Sequence, residues 1–133
     1  ALRNASLRGV DVRIVTPHIP DKKIVFGMTR SSYKYFMEAG VKIYEYTPGF
    51  IHAKQMLVDG CLAFVGTINF DYRSLVHHYE CGAVVVDKAF TKNIQKDFEN
   101  LFAVSEKQTI EGLKIGKFTQ LVNSILSIFR PLF

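Results

Sequence analysis

An Asp59-Gly60 pair lies between two short apolar segments, 54–58 and 62–67, and constrains the fold more than any other feature of the sequence. Asp-Gly between such segments is a strong β-hairpin signal, because both residues tolerate the positive φ angles of tight hairpin turns. Side chains two positions apart share one face of a strand. The hairpin therefore brings its two strands together and lets side chains from both meet on one face.

The rest of the chain alternates between strand-like and helix-like patterns. Asp21 is a plausible N-cap for the first helix, and Gly40 is suited to end it in a left-handed conformation. Alternating apolar residues predict strands, and an apolar stripe at helical spacing predicts the second helix. The predicted strands cover 10–16, 41–46 and 80–86, and the predicted helices cover 22–39 and 87–104. This order predicts an α/β fold, a mixed β-sheet flanked by helices.

The composition is that of a folded domain that favours anionic partners. Hydrophobic residues make up 48% and charged residues 22% of the 133 residues, which is typical of one globular domain. The net charge of +5 suits phosphates, nucleic acid or acidic lipid headgroups. No apolar run approaches the roughly 18–20 residues of a membrane span, so any membrane anchor is expected outside this sequence. Cys61 and Cys81 lack metal-site spacing, and we expect no metal and no other cofactor.

Residues 112–133 differ from the preceding part of the chain. They are mostly apolar, with Lys114, Lys117 and Arg130 as their only charged residues. This pattern predicts an amphipathic helix that packs on its own domain, on a neighbouring domain or on a membrane surface. We therefore treat 1–111 as one domain and 112–133 as a separate C-terminal helix.

Four side chains around the predicted hairpin offer groups that suit a tetrahedral phosphate. His52 and Lys54 are two apart and share a face, as do Thr67 and Asn69. Lys54 can neutralise charge, and Thr67 and Asn69 can donate hydrogen bonds. His52 can act as a nucleophile or transfer a proton. The hairpin is thus expected to gather one phosphate-handling site.

Other polar residues have weaker assignments. Asp59 is an odd number of positions from His52, so strand alternation places it on the opposite face, in a structural role at the turn. Glu80 opens a later strand and could orient the His52 ring by accepting a hydrogen bond from one ring nitrogen. His18, in the loop after the first strand, and Arg73 are candidates for substrate contact.

The string H-x-K-x4-D-x6-G-T-x-N, from His52 to Asn69, resembles the HKD motif of the phospholipase D superfamily. Thr67 stands where many members have Ser, and it keeps the hydroxyl. Gly66 and Asp59 fill the structural positions of the motif, and Glu80 matches the acidic residue that pairs with the motif histidine in related enzymes. Further segments are similar to bacterial cardiolipin synthases, and they are 16–22, 40–52, 66–74 and 128–133.

The resemblance implies a function for the domain over 1–111, as the half that carries the second HKD motif of a cardiolipin synthase. Superfamily members use two facing motifs, from two halves of one polypeptide or from two identical chains. One histidine forms a phosphohistidine, and the other protonates the leaving alcohol and activates the incoming one. A cardiolipin synthase joins two phosphatidylglycerols into cardiolipin and glycerol. The implied partners are phospholipid, the other HKD half and the cytoplasmic face of the bacterial cell membrane, and not nucleic acid.

The sequence leaves several alternatives open. His52 is either the nucleophile or the general acid/base, and analogy with two-half members favours the second role. Lys54 and Asn69 would bind phosphoryl oxygens in both cases. The same residues would also serve a phospholipase D-type nuclease acting as a homodimer on DNA or RNA. A third alternative is a half-domain that is inactive in isolation, since the partner histidine is not in this sequence.

Overall fold

The computed structural model describes residues 1–20 and 23–113. The predicted N-cap Asp21 and residues 114–133, most of the predicted C-terminal helix, lie outside the described residues. The described elements, in chain order, are α1 (Leu2–Leu7), β1 (Arg13–Pro17), α2 (Lys23–Met37), β2 (Lys42–Tyr46), β3 (Gln55–Val58), β4 (Leu62–Gly66), a π-helical turn (Arg73–His77), β5 (Gly82–Val85), α3 (Lys88–Val104) and β6 (Ser105–Lys107). They form two compact units: unit 1 is Ala1–Ile51 with the described residues from Val104 on, and unit 2 is His52–Ala103.

Unit 1 contains a mixed three-stranded sheet in the order β1-β2-β6. β1 runs parallel to β2, with Ile14 opposite Ile43, and β6 runs antiparallel to β2. The core is apolar: Val41 and Ile43 from the sheet side and Tyr33 from α2 are almost fully buried. Gly40 ends the α2 segment with a φ of +91°, which a residue with a side chain rarely adopts.

Unit 2 contains an antiparallel sheet in the order β3-β4-β5. The β3–β4 hairpin turns at Asp59 and Gly60, whose φ angles are +49° and +66°, and Cys61 N donates to the Val58 carbonyl at 3.0 Å. Gly66 faces Gly82 across β4 and β5. A Cβ on Gly66 would lie 2.5 Å from the Cys81 carbonyl oxygen, so this motif glycine is required by the close approach of the two strands.

The structure confirms the predicted α/β class with a mixed sheet flanked by helices. The predicted sheet is realised as two separate three-stranded sheets, of which β1-β2-β6 is the mixed one. Each element predicted between residues 10 and 104 is present, but most are shorter than the sequence pattern suggests. Val10, for example, precedes β1 and is 50% exposed, because pairing with β2 begins only opposite Lys42. The sequence pattern missed α1, the π-helical turn and β6.

Among the described residues, no helix combines the length and the apolarity that crossing a membrane requires.

Candidate active site

The predicted site residues of unit 2 lie at one end of the antiparallel sheet, where the ends of neighbouring strands meet. We call this end of the sheet the shared strand edge. His52 and Lys54 immediately precede β3, Thr67 and Asn69 follow the end of β4, and Glu80 comes shortly before β5. In an antiparallel sheet, the start of one strand, the end of the next and the start of the third lie side by side at the same end of the sheet. The backbone confirms this meeting, since Gly66 N donates to the Lys54 carbonyl at 3.0 Å and Thr67 N donates to the Cys81 carbonyl at 2.9 Å.

Lys54 carries a half-buried amine in this group. Its Nζ donates to the His52 carbonyl at 2.7 Å, which fixes the amine beside the backbone of the motif histidine. Burial lowers the pKa of Lys54, and the carboxylates of Glu80 and Asp71 act in the opposite direction. The amine therefore lies within the electrostatic range of two acidic groups and is positioned at the shared strand edge.

Glu80 is held in its ionised form by hydroxyl donors. Thr67 Oγ1 donates a hydrogen bond to Glu80 Oε2, and Thr67 Oγ1 also accepts one from Cys81 N at 3.1 Å. The Thr67 hydroxyl is the largest cause of a lowered Glu80 pKa, followed by the Ser74 hydroxyl, with a smaller contribution from His78. A carboxylate kept ionised in this way acts through its charge and its hydrogen bonds and does not supply protons.

Ser74 connects two of the predicted site residues, and the sequence interpretation gave it no role. It is buried within a segment that is otherwise exposed, and its amide donates to Asp71 Oδ1 at 2.7 Å. Asn69 Nδ2 donates to Ser74 Oγ at 3.3 Å, and the Ser74 hydroxyl contributes to the lowered pKa of Glu80. Because the Ser74 oxygen accepts from Asn69, its single hydroxyl proton is available to the Glu80 carboxylate. We call Lys54, Thr67, Asn69, Ser74 and Glu80 the polar cluster.

A local signal could have identified Ser74. Asp followed three positions later by Ser is the spacing at which an Asp side chain accepts from a backbone amide and starts a turn. Asp71 and Ser74 have this spacing, and Ser74 lies within the π-helical turn Arg73–His77. The burial of Ser74 could not be read from the pattern, because this turn has no apolar periodicity.

The remaining predicted residues lie elsewhere. Asp59 is in the hairpin turn, at the opposite end of β3 and β4 from the polar cluster. Arg73 Nη2 lies 3.2 Å from His78 Nε2, and His78 Nδ1 lies 3.7 Å from Glu80 Oε1, so both belong to the rim of the cluster. His18 belongs to unit 1, where its Nδ1 lies 2.8 Å from Glu45 Oε2. A direct contact between Glu80 and His52 stays a prediction.

The described residues were also compared with what a metal-binding site requires. Within residues 1–20 and 23–113, no group of three or more His, Cys, Asp or Glu side chains could hold a metal ion. The two cysteines are exposed free thiols. What the polar cluster offers instead is an amine, a carboxamide and a structured carboxylate next to an exposed histidine. Such groups can bind phosphoryl oxygens and place an imidazole near phosphorus.

Comparison with known proteins gives a consistent set of similarities. Residues 1–102 match the family model described as "Cardiolipin synthase, PLD-like domain". The chain is 51% identical over 135 residues to a cardiolipin synthase of Geobacillus sp. (strain WCH70), covering 99% of this chain and 26% of that protein. It is 38% identical over 135 residues to cardiolipin synthase 2 of Bacillus cereus, with the same two coverages.

A third relative is an uncharacterized protein of Streptococcus mutans serotype c, 43% identical over 133 residues, covering 99% of this chain and 29% of that protein. The chain thus spans well under a third of the length of these relatives. No solved structure matches the chain.

Proposed function

We propose, from the fact that this chain belongs to the cardiolipin synthase family of phospholipase D-like domains, that it supplies one of two HKD half-sites of a phosphatidyltransferase. The family model covers residues 1–102, and a protein named cardiolipin synthase is 51% identical over nearly the whole chain. The observation that carries the proposal is the meeting of Lys54, Thr67, Asn69 and Glu80 at one sheet edge beside His52. The other half-site comes from the same polypeptide or from a homodimer partner.

The proposed reaction joins two phosphatidylglycerols in two displacements. A histidine nitrogen attacks the phosphorus of the first lipid, the bond from phosphorus to the glycerol oxygen breaks, and the second histidine gives glycerol its proton. The hydroxyl of another phosphatidylglycerol then loses its proton to this second histidine and attacks the phosphohistidine. Cardiolipin forms and the first histidine is released. By analogy with two-half members, His52 is the general acid/base.

The polar cluster has a distinct task in each displacement. Lys54 and the second amide hydrogen of Asn69 bind the phosphoryl oxygens, which carry more charge in the transition state than in the lipid. Thr67 fixes Glu80 and is a further candidate for substrate contact. Glu80, ionised, supports the imidazole of His52 and balances the charge of Lys54.

Surface chemistry near the polar cluster supports a lipid substrate. Between Asn69 and Glu80 the chain exposes large apolar side chains, and Phe70 is 74% exposed. Tyr79, Leu75 and Val76 are also exposed. Such a surface suits contact with acyl chains or a membrane interface better than contact with a nucleic-acid backbone, which calls for basic residues. We therefore propose that this surface faces a membrane, and the family resemblance favours the cytoplasmic face of the bacterial cell membrane.

The domain organisation forms part of the same proposal. Residues 1–111 would make up the catalytic half-domain, with Arg73 and His18 as additional substrate contacts. Residues 112–133 would form an amphipathic helix that packs on the domain, on the partner half or on the membrane surface.

A substrate comparison tests the proposed function. The full-length protein, meaning the polypeptide that contains this chain as one part, is incubated with phosphatidylglycerol vesicles and separately with DNA. Each incubation is done with and without EDTA. We expect cardiolipin and glycerol in equimolar amounts, no DNA cleavage and no effect of EDTA. The 133-residue chain alone should show little or no turnover, because the second histidine is missing. Cleavage of DNA without lipid transfer would support the nuclease alternative and contradict the proposal.

Ser74→Ala tests the hydrogen-bond network behind the site. Losing one buried hydroxyl costs about 1 kcal/mol of unfolding free energy, and we expect a roughly tenfold lower kcat with a nearly unchanged KM. The physical reason is that Asn69 and Glu80 lose their shared partner. Ser31→Ala is the matched control, since Ser31 donates to a helix carbonyl in unit 1. Equal losses of kcat in both variants would contradict a positioning role for Ser74.

A further inference from the structure

Glu45 is a buried carboxylate that the proposed reaction does not use. It lies on β2, and its side chain is 1% exposed. Burying an ionised carboxylate is costly unless it is paired, and its two oxygens face two basic side chains. His18 Nδ1 lies 2.8 Å from Glu45 Oε2, and Arg30 Nε lies 3.2 Å from Glu45 Oε1.

These three side chains meet at the carboxyl ends of two parallel strands. Glu45 is in register with Thr16 near the end of β1, and His18 follows β1 directly. His18 N donates to the Tyr46 carbonyl at 3.1 Å, which fixes the His18 backbone beside β2. In α/β sheets, ligands bind preferentially outside the carboxyl ends of parallel strands. The group therefore occupies a position where small anions and cofactors are commonly bound.

Two hydroxyl groups, from Tyr33 of α2 and Thr16 of β1, lie on the buried side of the His18, Arg30 and Glu45 group. The Tyr33 hydroxyl lies 2.6 Å from Thr16 Oγ1, and Tyr33 is 2% exposed. Burial raises the pKa of Tyr33, so its phenol stays neutral and adds no second negative charge beside Glu45. Glu45 is thus the acidic member of this group, and the buried Tyr33 side chain lies beside it.

The two basic side chains are only partly buried. The His18 side chain is 47% exposed and that of Arg30 is 37% exposed, in contrast to the buried Glu45. With Nδ1 directed at Glu45, the imidazole geometry places Nε2 on the other side of the ring. Arg30 likewise uses Nε for the ion pair, which leaves its terminal nitrogens as donors for a further group. His18 offers a second donor, Nε2–H, when its ring carries both protons.

Two basic side chains, His18 and Arg30, face the single carboxylate of Glu45. Arg30 alone balances the carboxylate, and a protonated His18 leaves a net charge of +1 at the exposed side. A doubly protonated imidazole donates from both ring nitrogens. Arg guanidinium and imidazolium donors, held in place from behind, match the oxygens of a phosphate group.

We propose that His18 and Arg30, anchored by Glu45, form a second phosphate-binding site in unit 1, suited to the phosphate of a lipid headgroup. The identity of the headgroup rests on the proposed function, but the site uses none of the polar-cluster residues. In the bound state the His18 ring is an imidazolium whose Nδ1–H stays on Glu45 and whose Nε2–H bonds a phosphate oxygen. Arg30 donates to a second oxygen of the same group.

Histidine NMR tests this site without requiring turnover. Full-length protein labelled at histidine is titrated with glycerol 1-phosphate, inorganic phosphate and glycerol, and His18→Asn identifies the His18 resonances. We expect saturable shifts of these resonances with both phosphates and none with glycerol. Tighter binding of glycerol 1-phosphate would identify a headgroup site, and equal binding a site for the free phosphate group. No saturable shift with either phosphate would overturn the proposal.

Variants of α2 provide the matched comparison. Arg30→Gln should weaken phosphate binding about tenfold, since a charge-assisted donor is lost. Arg30→Lys keeps the charge, should remain folded and should recover part of the affinity. Lys34→Gln removes a cation from the same helix, where Lys34 pairs with Glu38, and should change binding less than about twofold. Equal effects of Arg30→Gln and Lys34→Gln would contradict the site.

A His52→Asn background separates this proposal from the proposed function. In that variant the reaction should stop, while the shifts of the His18 resonances persist. Persisting transfer in His52→Asn would contradict the proposed function and leave the phosphate site standing. Loss of the His18 shifts in a folded His52→Asn protein would show that the observed binding belongs to the polar cluster, and it would overturn the second site.

Discussion

Replacing His52 by Asn in the full-length protein is expected to lower kcat for cardiolipin formation by roughly 10²–10⁴-fold, the usual contribution of a general acid/base. Asn fills a similar space but can neither carry a proton nor form a bond to phosphorus. His77→Asn is the matched control, because His77 is an exposed histidine of the same unit on the π-helical turn. The control should keep nearly full activity. A His52→Asn enzyme with more than a tenth of wild-type kcat would contradict the assignment.

The same variant distinguishes the two roles of His52. A phosphatidyl ester of p-nitrophenol has a leaving group that needs no proton from the enzyme. If His52 is the general acid/base, His52→Asn should release a burst of p-nitrophenol and accumulate the phosphohistidine on the other half. If His52 is the nucleophile, neither a burst nor a labelled intermediate forms. We expect the burst, in agreement with the acid/base role.

Replacing Lys54 by Gln is expected to reduce kcat by roughly 10²–10³-fold, the effect of removing one donor to a developing oxyanion. The amine lies at the sheet edge beside His52, with Glu80 and Asp71 in electrostatic range. Lys92→Gln is the control, since Lys92 is exposed on α3. KM should change less than kcat, because the charge on the phosphoryl oxygens rises in the transition state. Equal losses in the two lysine variants would contradict a role for Lys54 in phosphate binding.

The edge at which the polar cluster forms could be predicted from the sequence because its determinants are local. Asp59 and Gly60 adopt positive φ angles, as their turn chemistry predicts, and this fixes the β3–β4 hairpin. Once the hairpin is fixed, residues just before β3 and just after β4 must lie at the same edge. Short-range backbone preferences therefore sufficed to bring Lys54 and Thr67 together.

Features that depend on remote segments were missed. β6 pairs with β2 from more than fifty positions away, and nothing in Ser105–Lys107 itself indicates a strand. α1 has six residues and no side-chain cap, so it lacks the usual signals of a helix start. The network around Ser74 depends on how the segment between Asn69 and Glu80 folds. This segment has no periodic pattern from which its fold could be predicted.

Glu45 illustrates a signal that was present but not used. The strand predicted over 41–46 is present as β2, Lys42–Tyr46, and alternation places Val41, Ile43 and Glu45 on the same face. The first two are core residues, so a carboxylate on that face had to be buried and paired. A charged residue in phase with the apolar face of a strand therefore predicts a buried ion pair, which is what His18 and Arg30 provide.

A crystal structure of the full-length protein with bound vanadate, a mimic of the phosphoryl transition state, tests the shared strand edge most directly. We predict vanadate oxygens within about 3 Å of Lys54 Nζ and Asn69 Nδ2, with the His52 ring in line with the vanadium. Vanadate bound elsewhere, with the His52 ring turned away from the Lys54 amine, would contradict the account.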